Sequence, residues 1–147
     1  MLYNKPMEII TKNIEETYNL ANKIASFLNG GEILLLNGDL GAGKTTFTKG
    51  LAKALKIDDI ITSPTFTIMK EYEGRLNLYH FDMYRIGDAD EVYELGFDDY
   101  LYDSKGVAVI EWNKFDNFDT DKVYTMNFFR IDDSTRRIEI DDRLIGR

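Results

Sequence analysis

Residues 38–45, Gly-Asp-Leu-Gly-Ala-Gly-Lys-Thr, restrict what this chain can fold into more than any other stretch. They match the pattern G-x-x-x-x-G-K-[ST] in full. The residues before them, "EILLLNG" at 32–38, form a continuous apolar run bounded by glycines, which predicts a strand buried on both faces of a sheet. The residues after them predict a helix from about Lys44 to Leu55. Glycines let the turn between strand and helix wrap an anion with its backbone N–H groups pointing inward, where a Cβ would obstruct. The helix that follows adds its positive N-terminal end. In this pattern Lys44 serves the β- and γ-phosphates and the Thr45 hydroxyl ligates Mg²⁺. A chance glycine-rich turn would need neither the full spacing nor both flanks, so the stretch is read as a nucleoside-triphosphate site.

Such a site needs an acid at the end of a neighbouring strand, to hold Mg²⁺ or polarise the attacking water. Two strand candidates carry one: Asp82 in "RLNLYHFDMYRI" (75–86) and Glu111 in "GVAVIEW" (106–112). In open α/β sheets ligands bind at the carboxyl ends of strands, where both acids fall. Just beyond Glu111, Asn113-Lys114-Phe115-Asp116 spells the N-K-x-D pattern by which GTPases grip guanine. A four-residue pattern of common polar residues is a weak signal. A GTPase also needs a D-x-x-G switch, and the strand-end acid Asp82 is followed by Met83, Tyr84 and Arg85, with no glycine. The tetrapeptide is therefore expected to be a loop.

The rest of the chain predicts an α/β protein with a P-loop NTPase-like three-layer fold. Its mixed sheet should have a parallel core and an antiparallel C-terminal hairpin, "VYTMNFFRI" and "RRIEI" flanking "DDST". "MEIIT" opens as a strand, and Asn13 with Glu16 forms a capping box for a helix over 14–28. Ile14, Tyr18, Ala21, Ala25 and Leu28 make its apolar stripe, and Gly30 or Gly31 its left-handed cap. Residues 88–103 should be helical in part. With 147 residues, two prolines and no linker or repeat, one domain over 1–147 is the simple expectation.

Composition narrows the chemistry. No cysteine occurs, which excludes disulfides and Cys-ligated metals, and one His excludes a multi-histidine centre. A formal net charge of −8 argues against unaided grip on a phosphate backbone, so any service to tRNA should be indirect. Neither a signal-like N-terminus nor an apolar run of membrane-spanning length is present, so a cytoplasmic location and no membrane partner are expected.

Four blocks, in order, resemble the TsaE (YjeE) family of small bacterial P-loop ATPases that serve threonylcarbamoyladenosine synthesis in tRNA. They are "NGDLGAGKTTFTKG" at 37–50, "TSPTFTI" at 62–68, "YHFDMYRI" at 79–86 with "ELGFDDYL" at 94–101, and "VIEW" at 109–112. The phosphate loop alone is unspecific; S-P-T-F-T followed by H-F-D-x-Y-R is far more restricted. The resemblance implies that Asp39, Leu40, Gly41, Ala42, Gly43, Lys44, Thr45 and Thr46 bind the nucleotide, with Thr45 and Glu111 on Mg²⁺. It makes Lys44, Asp82 and Glu111 catalytic, and puts Ser63, Thr65 and Thr67 in a switch-like segment facing the γ-phosphate. Trp112 would lie beside the site, and the base near Ile14 and Arg137. The implied activity is Mg²⁺-dependent ATP hydrolysis, slow without partners, that powers turnover of a TsaD–TsaB heterodimer.

Several residues also carry plain structural readings. His80 reads as a packed strand histidine and Trp112 as core. Residues 62–67 read as a turn at Pro64 leading to a strand, and Arg85 either as a finger on transferred phosphate or as a surface ion pair. The acidic, aromatic run at 88–103 reads as a solvated helix face or a partner contact. A small-molecule kinase shares the phosphate loop, but its lid normally carries several arginines. Only Arg75 and Arg85 lie between the loop and residue 113. A nucleotide-gated binding module with negligible hydrolysis is the third reading.

Overall fold

Residues 6–64 and 67–145 are described in a computed structural model of the chain. In chain order the elements are β1 (Pro6–Thr11), α1 (Ile14–Ala25), β2 (Ile33–Asn37), α2 (Lys44–Ala54), β3 (Met69–Tyr72) and β4 (Asn77–Asp82). Then come α3 (Ala89–Glu94), β5 (Gly106–Glu111), β6 (Val123–Arg130) and β7 (Arg136–Asp141). All strands join one sheet in the order β1-β7-β6-β2-β5-β4-β3. The central four, β6, β2, β5 and β4, run parallel. Strand β3 closes one side antiparallel to β4, and the antiparallel β6–β7 hairpin with β1 closes the other. The expected mixed sheet, parallel core and C-terminal hairpin are all present.

Alternation along the central strands divides the core into two layers. Leu34, Leu36, Val107 and Val109 face α1 and α2, where Leu20, Ile24, Phe47 and Leu51 meet them. Ile33, Ala108, Ile110 and Phe81 face the other way, against Val92, Leu101 and Phe115. That second layer is thin, since only short α3, a 3-10 turn at Phe97–Tyr100 and loop chain cover it.

Local signals account for most boundaries, with several corrections. Asn13 caps α1 by accepting from the Glu16 N–H at 2.8 Å. The Glu16 carboxylate reaches back to the Lys12 N–H at 2.7 Å, so the capping box closes one residue earlier than the usual form. Helix α1 ends at Ala25 rather than 28, because Phe27 and Leu28 bond back to Ile24 and Ala25 in tighter 3-10 geometry. Gly30 (φ 115°) is thus no helix cap: an added Cβ would lie 1.9 Å from the Ser104 carbonyl, so a close approach demands it. Ile14, expected on the buried stripe, is 60% exposed, and Thr17, Leu20, Ala21, Ile24 and Ala25 form the buried face. The strand expected over 75–86 stops at Asp82, where the Met83 N–H crosses to the Glu111 carbonyl at 3.0 Å and a turn follows.

Candidate active site

Register places the site. Leu36 of β2 pairs with Glu111 of β5, and Glu111 pairs with Asp82 of β4, so three parallel strands release their chains at one level. Residues 38–43 leave β2 there and α2 begins at Lys44. Two glycines of the loop are required by geometry. A Cβ on Gly38 (φ 149°) would sit 2.6 Å from the Phe128 carbonyl, and Gly43 (φ 110°) caps α2 in the left-handed region.

Beneath this loop lies a buried charge cluster. Lys44 is 6% exposed and its Nζ donates to the Gly38 carbonyl at 2.6 Å. The same Nζ is 3.7 Å from Glu111 Oε1 and 4.5 Å from the centre of the Trp112 ring. Glu111, 5% exposed, takes His80 Nε2 on its other oxygen, Oε2, at 2.8 Å. Trp112 departs from the strand with φ 54°, a conformation rare for a bulky side chain, which turns the ring over Lys44. Tyr84 meets that ring edge-on at 5.2 Å. Asp82 Oδ1 accepts from the Tyr84 N–H at 3.1 Å.

A cleft of about 710 Å³ opens above the cluster. Leu40, Gly41, Gly43, Lys44, Thr45 and Thr46 line it from the loop, and Asp82, Glu111 and Trp112 from the strand ends. Leu40 is 97% exposed at the tip of the loop. A second cavity of about 600 Å³ adjoins, between the start of α1 and the β6–β7 hairpin. Ile14 lines it, and Gly43, Thr46 and Arg136 line both spaces. Asp39 sits in a smaller recess beside Lys44 and Trp112, while Ala42 is buried below the loop.

The structure therefore brings most of the expected residues together, with exceptions. Of the switch-like segment, Ser63 lines the cleft, Thr67 is exposed without lining it, and Thr65 lies outside the described residues. Arg85 is exposed and outside the cleft lining. Arg137 faces away: its guanidinium covers the Phe129 ring at 4.1 Å and pairs with Glu139 at 3.3 Å and Glu8 at 3.9 Å. The hairpin arginine at the cavity is Arg136, whose Nη1 holds the Asp132 and Thr135 carbonyls. Its Nε is buried with no partner among the described residues. A period-2 reading finds it, since Arg136 shares parity with buried Ile138 and Ile140, on the helix-covered face. His80, read as packing, is fully buried and belongs to the cluster; no local pattern reveals this, because Glu111 lies on another strand.

The tetrapeptide 113–116 is a loop. Asn113 turns on itself, accepting from the Phe115 N–H at 2.9 Å and donating to the Phe115 carbonyl at 3.2 Å. Asp116 accepts from the Tyr93 hydroxyl at 3.0 Å. Phe115 is buried against Phe81 and Tyr93. None of the four lines either space.

Comparison with known proteins agrees in sequence and shape. The family model described as Threonylcarbamoyl adenosine biosynthesis protein TsaE matches residues 11–142. The chain is similar to the tRNA threonylcarbamoyladenosine biosynthesis protein TsaE of Bacillus subtilis, 51% identical over 109 residues, covering 74% of this chain and 67% of that one. The TsaE protein of Treponema pallidum is 40% identical over 108 residues, covering 74% and 79%. That of Aquifex aeolicus is 44% identical over 112 residues, covering 74% and 78%. The crystal structure of Bacillus subtilis YdiB superposes with a TM-score of 0.76 at 35% identity, covering 98% of this chain and 94% of that one.

Proposed function

The chain belongs to the TsaE family, and from that premise we propose that it is an ATPase whose Mg²⁺-ATP hydrolysis supports threonylcarbamoyl modification of tRNA adenosine. The observation that carries this reading is the meeting of Lys44 and Glu111 at 3.7 Å beneath the phosphate loop, where parallel strands end. The loop's N–H groups and the start of α2 neutralise the phosphates, and Lys44 moves its ammonium from the Gly38 carbonyl onto the β- and γ-oxygens.

The donor set suits magnesium. Thr45 and Glu111 line one cleft, and among the described residues Oε1 of Glu111 meets only Lys44, at the longer 3.7 Å. No group of three or more His, Cys, Asp or Glu side chains gathers among the described residues, and Mg²⁺ characteristically takes one or two carboxylates and completes its shell from phosphate and water. When bound, the ion would neutralise charge developing on the phosphates. Asp82, at the lip with one oxygen held by the Tyr84 N–H, orients a water in line with the γ-phosphate through the other. The base occupies the second cavity, between Ile14 and Arg136.

The proposed partners are a TsaD–TsaB heterodimer, with tRNA reached only through them, as the net charge of −8 suits. Among the described residues no helix is long and apolar enough to cross a membrane. The test is phosphate release from ATP and GTP, with and without the partner pair. Free phosphate from ATP, abolished in a folded Lys44→Ala protein, is expected. A phosphorylated small molecule instead of free phosphate would replace this reading with a kinase, and a clear GTP preference would reinstate Asp116.

A further inference from the structure

We propose that His80 is a positioning residue for Glu111: it fixes the carboxylate so that one oxygen, Oε1, stays aimed into the cleft as a metal ligand. The inference rests on the Mg²⁺-nucleotide reading above and adds a residue to it. His80 shares strand parity with Leu78, and Glu111 with Val107 and Val109, so both side chains emerge on the α2 side of the sheet, beneath the phosphate loop. There His80 is 0% exposed and Glu111 5%. A buried carboxylate is costly without partners, and Glu111 has two cationic or donor groups within reach, one per oxygen. Lys44 stands at 3.7 Å from Oε1 and His80 Nε2 at 2.8 Å from Oε2. A carboxylate only accepts, so Nε2 carries the donated proton.

The two partners have different fates when nucleotide binds. Lys44 is drawn to phosphate oxygens, which removes its hold on Oε1 and opens that oxygen to the metal. His80 cannot follow: it lies in mid-strand, paired in register with Val109 of β5 and Lys70 of β3. It is then the side chain that keeps Glu111 from rotating, as a donor behind a metal ligand generally does. Nδ1 of His80 is buried with no partner among the described residues, so the ring is oriented by packing and by this one bond.

The experiment compares equilibrium ATP binding with Mg²⁺ and with EDTA for the wild-type chain, His80→Leu and His80→Gln, each checked for folding by thermal melting. Gln places an amide N–H near the position of Nε2, and Leu packs without a donor. The wild-type chain should bind ATP more tightly with Mg²⁺. His80→Leu should lose about 10-fold or more of that gain, the range for removing a donor behind a metal ligand, with EDTA affinity unchanged. His80→Gln should recover most of it. A folded His80→Leu protein that keeps the full Mg²⁺ gain overturns the inference while leaving the ATPase reading intact. So does equal loss in Leu and Gln, or a loss seen equally in EDTA. Should His80→Leu fail to fold, His80→Asn, polar but too short to reach Glu111, takes its place with the same expectations. A wild-type chain without any Mg²⁺ gain overturns both readings.

Discussion

Arg136 and Arg137 are neighbours in sequence, yet one lines the two cavities and the other stacks on Phe129 on the opposite face of the sheet. Alternation on β7 separates them, and the Nε of Arg136, beside Gly43, is a buried donor with no partner among the described residues. Arg136→Ala should weaken ATP binding roughly 10-fold or more, the scale of a hydrogen bond to a charged group, while Arg137→Ala leaves it unchanged. Titration calorimetry reads both. At Glu111 the expectation is sharper: Glu111→Gln keeps the size of the side chain but not its charge, so phosphate release should fall by roughly 100-fold or more. Near-normal turnover by the folded variant would remove Glu111 from the mechanism. The residues of the phosphate loop were legible in the sequence because glycine, lysine and threonine at fixed spacing describe one contiguous backbone shape. Arg136 was legible too, through parity, and was missed in favour of its neighbour.

Elements are held to one another by polar clamps as well as by core. Tyr79 on β4 donates its hydroxyl to Asp103, in the loop that leads into β5, at 2.5 Å. Burial and the Asp103 carboxylate push the Tyr79 phenol up to about 12, and the Tyr79 hydroxyl together with the Lys105 N–H holds Asp103 below the usual carboxylate range. For Tyr79 the folded state favours the protonated form, so its stabilisation is full below the unfolded phenol value near 10 and fades as pH rises toward about 12. For Asp103 the sign is opposite: the contribution is present above the ordinary carboxylate pKa and is lost as pH falls through the depressed one. Tyr79→Phe should remove a phenol titrating near 12 from the ultraviolet titration curve and flatten both limbs of the stability profile. An unchanged curve would place Tyr79 outside such a bond. Boundary errors at this scale share a cause. Helix α1 and strand β4 stop where long-range bonds, Met83 to Glu111 for β4, or a locally tightened turn outcompete the apolar pattern that would carry them further.

The whole molecule is an acidic α/β sheet with its catalytic candidates at one end and a thin layer on one face. Ligand binding should therefore be felt by the entire fold, since the loop, α2, β4, β5 and β7 all touch one cleft. Mg²⁺-ATP at about 100 times its Kd should add about 2.7 kcal/mol of stability, read as a rise in melting temperature. Mg²⁺-GTP at the same concentration should raise it less, because the residues of the guanine-like pattern are engaged in their own loop. An equal or larger rise with GTP would contradict this. Sequence by itself determined the strand, glycine-rich loop and helix of the candidate site, the two acids at strand ends, the C-terminal hairpin and the family. Each is carried by contiguous patterns of backbone freedom and apolar periodicity. Only the tertiary structure decided that His80 meets Glu111, that Arg137 covers the Phe129 ring, and that Asp116 pairs with Tyr93. Those outcomes depend on cross-strand register and on which face a side chain leaves, quantities set by the sum of all pairings in the sheet rather than by any one stretch.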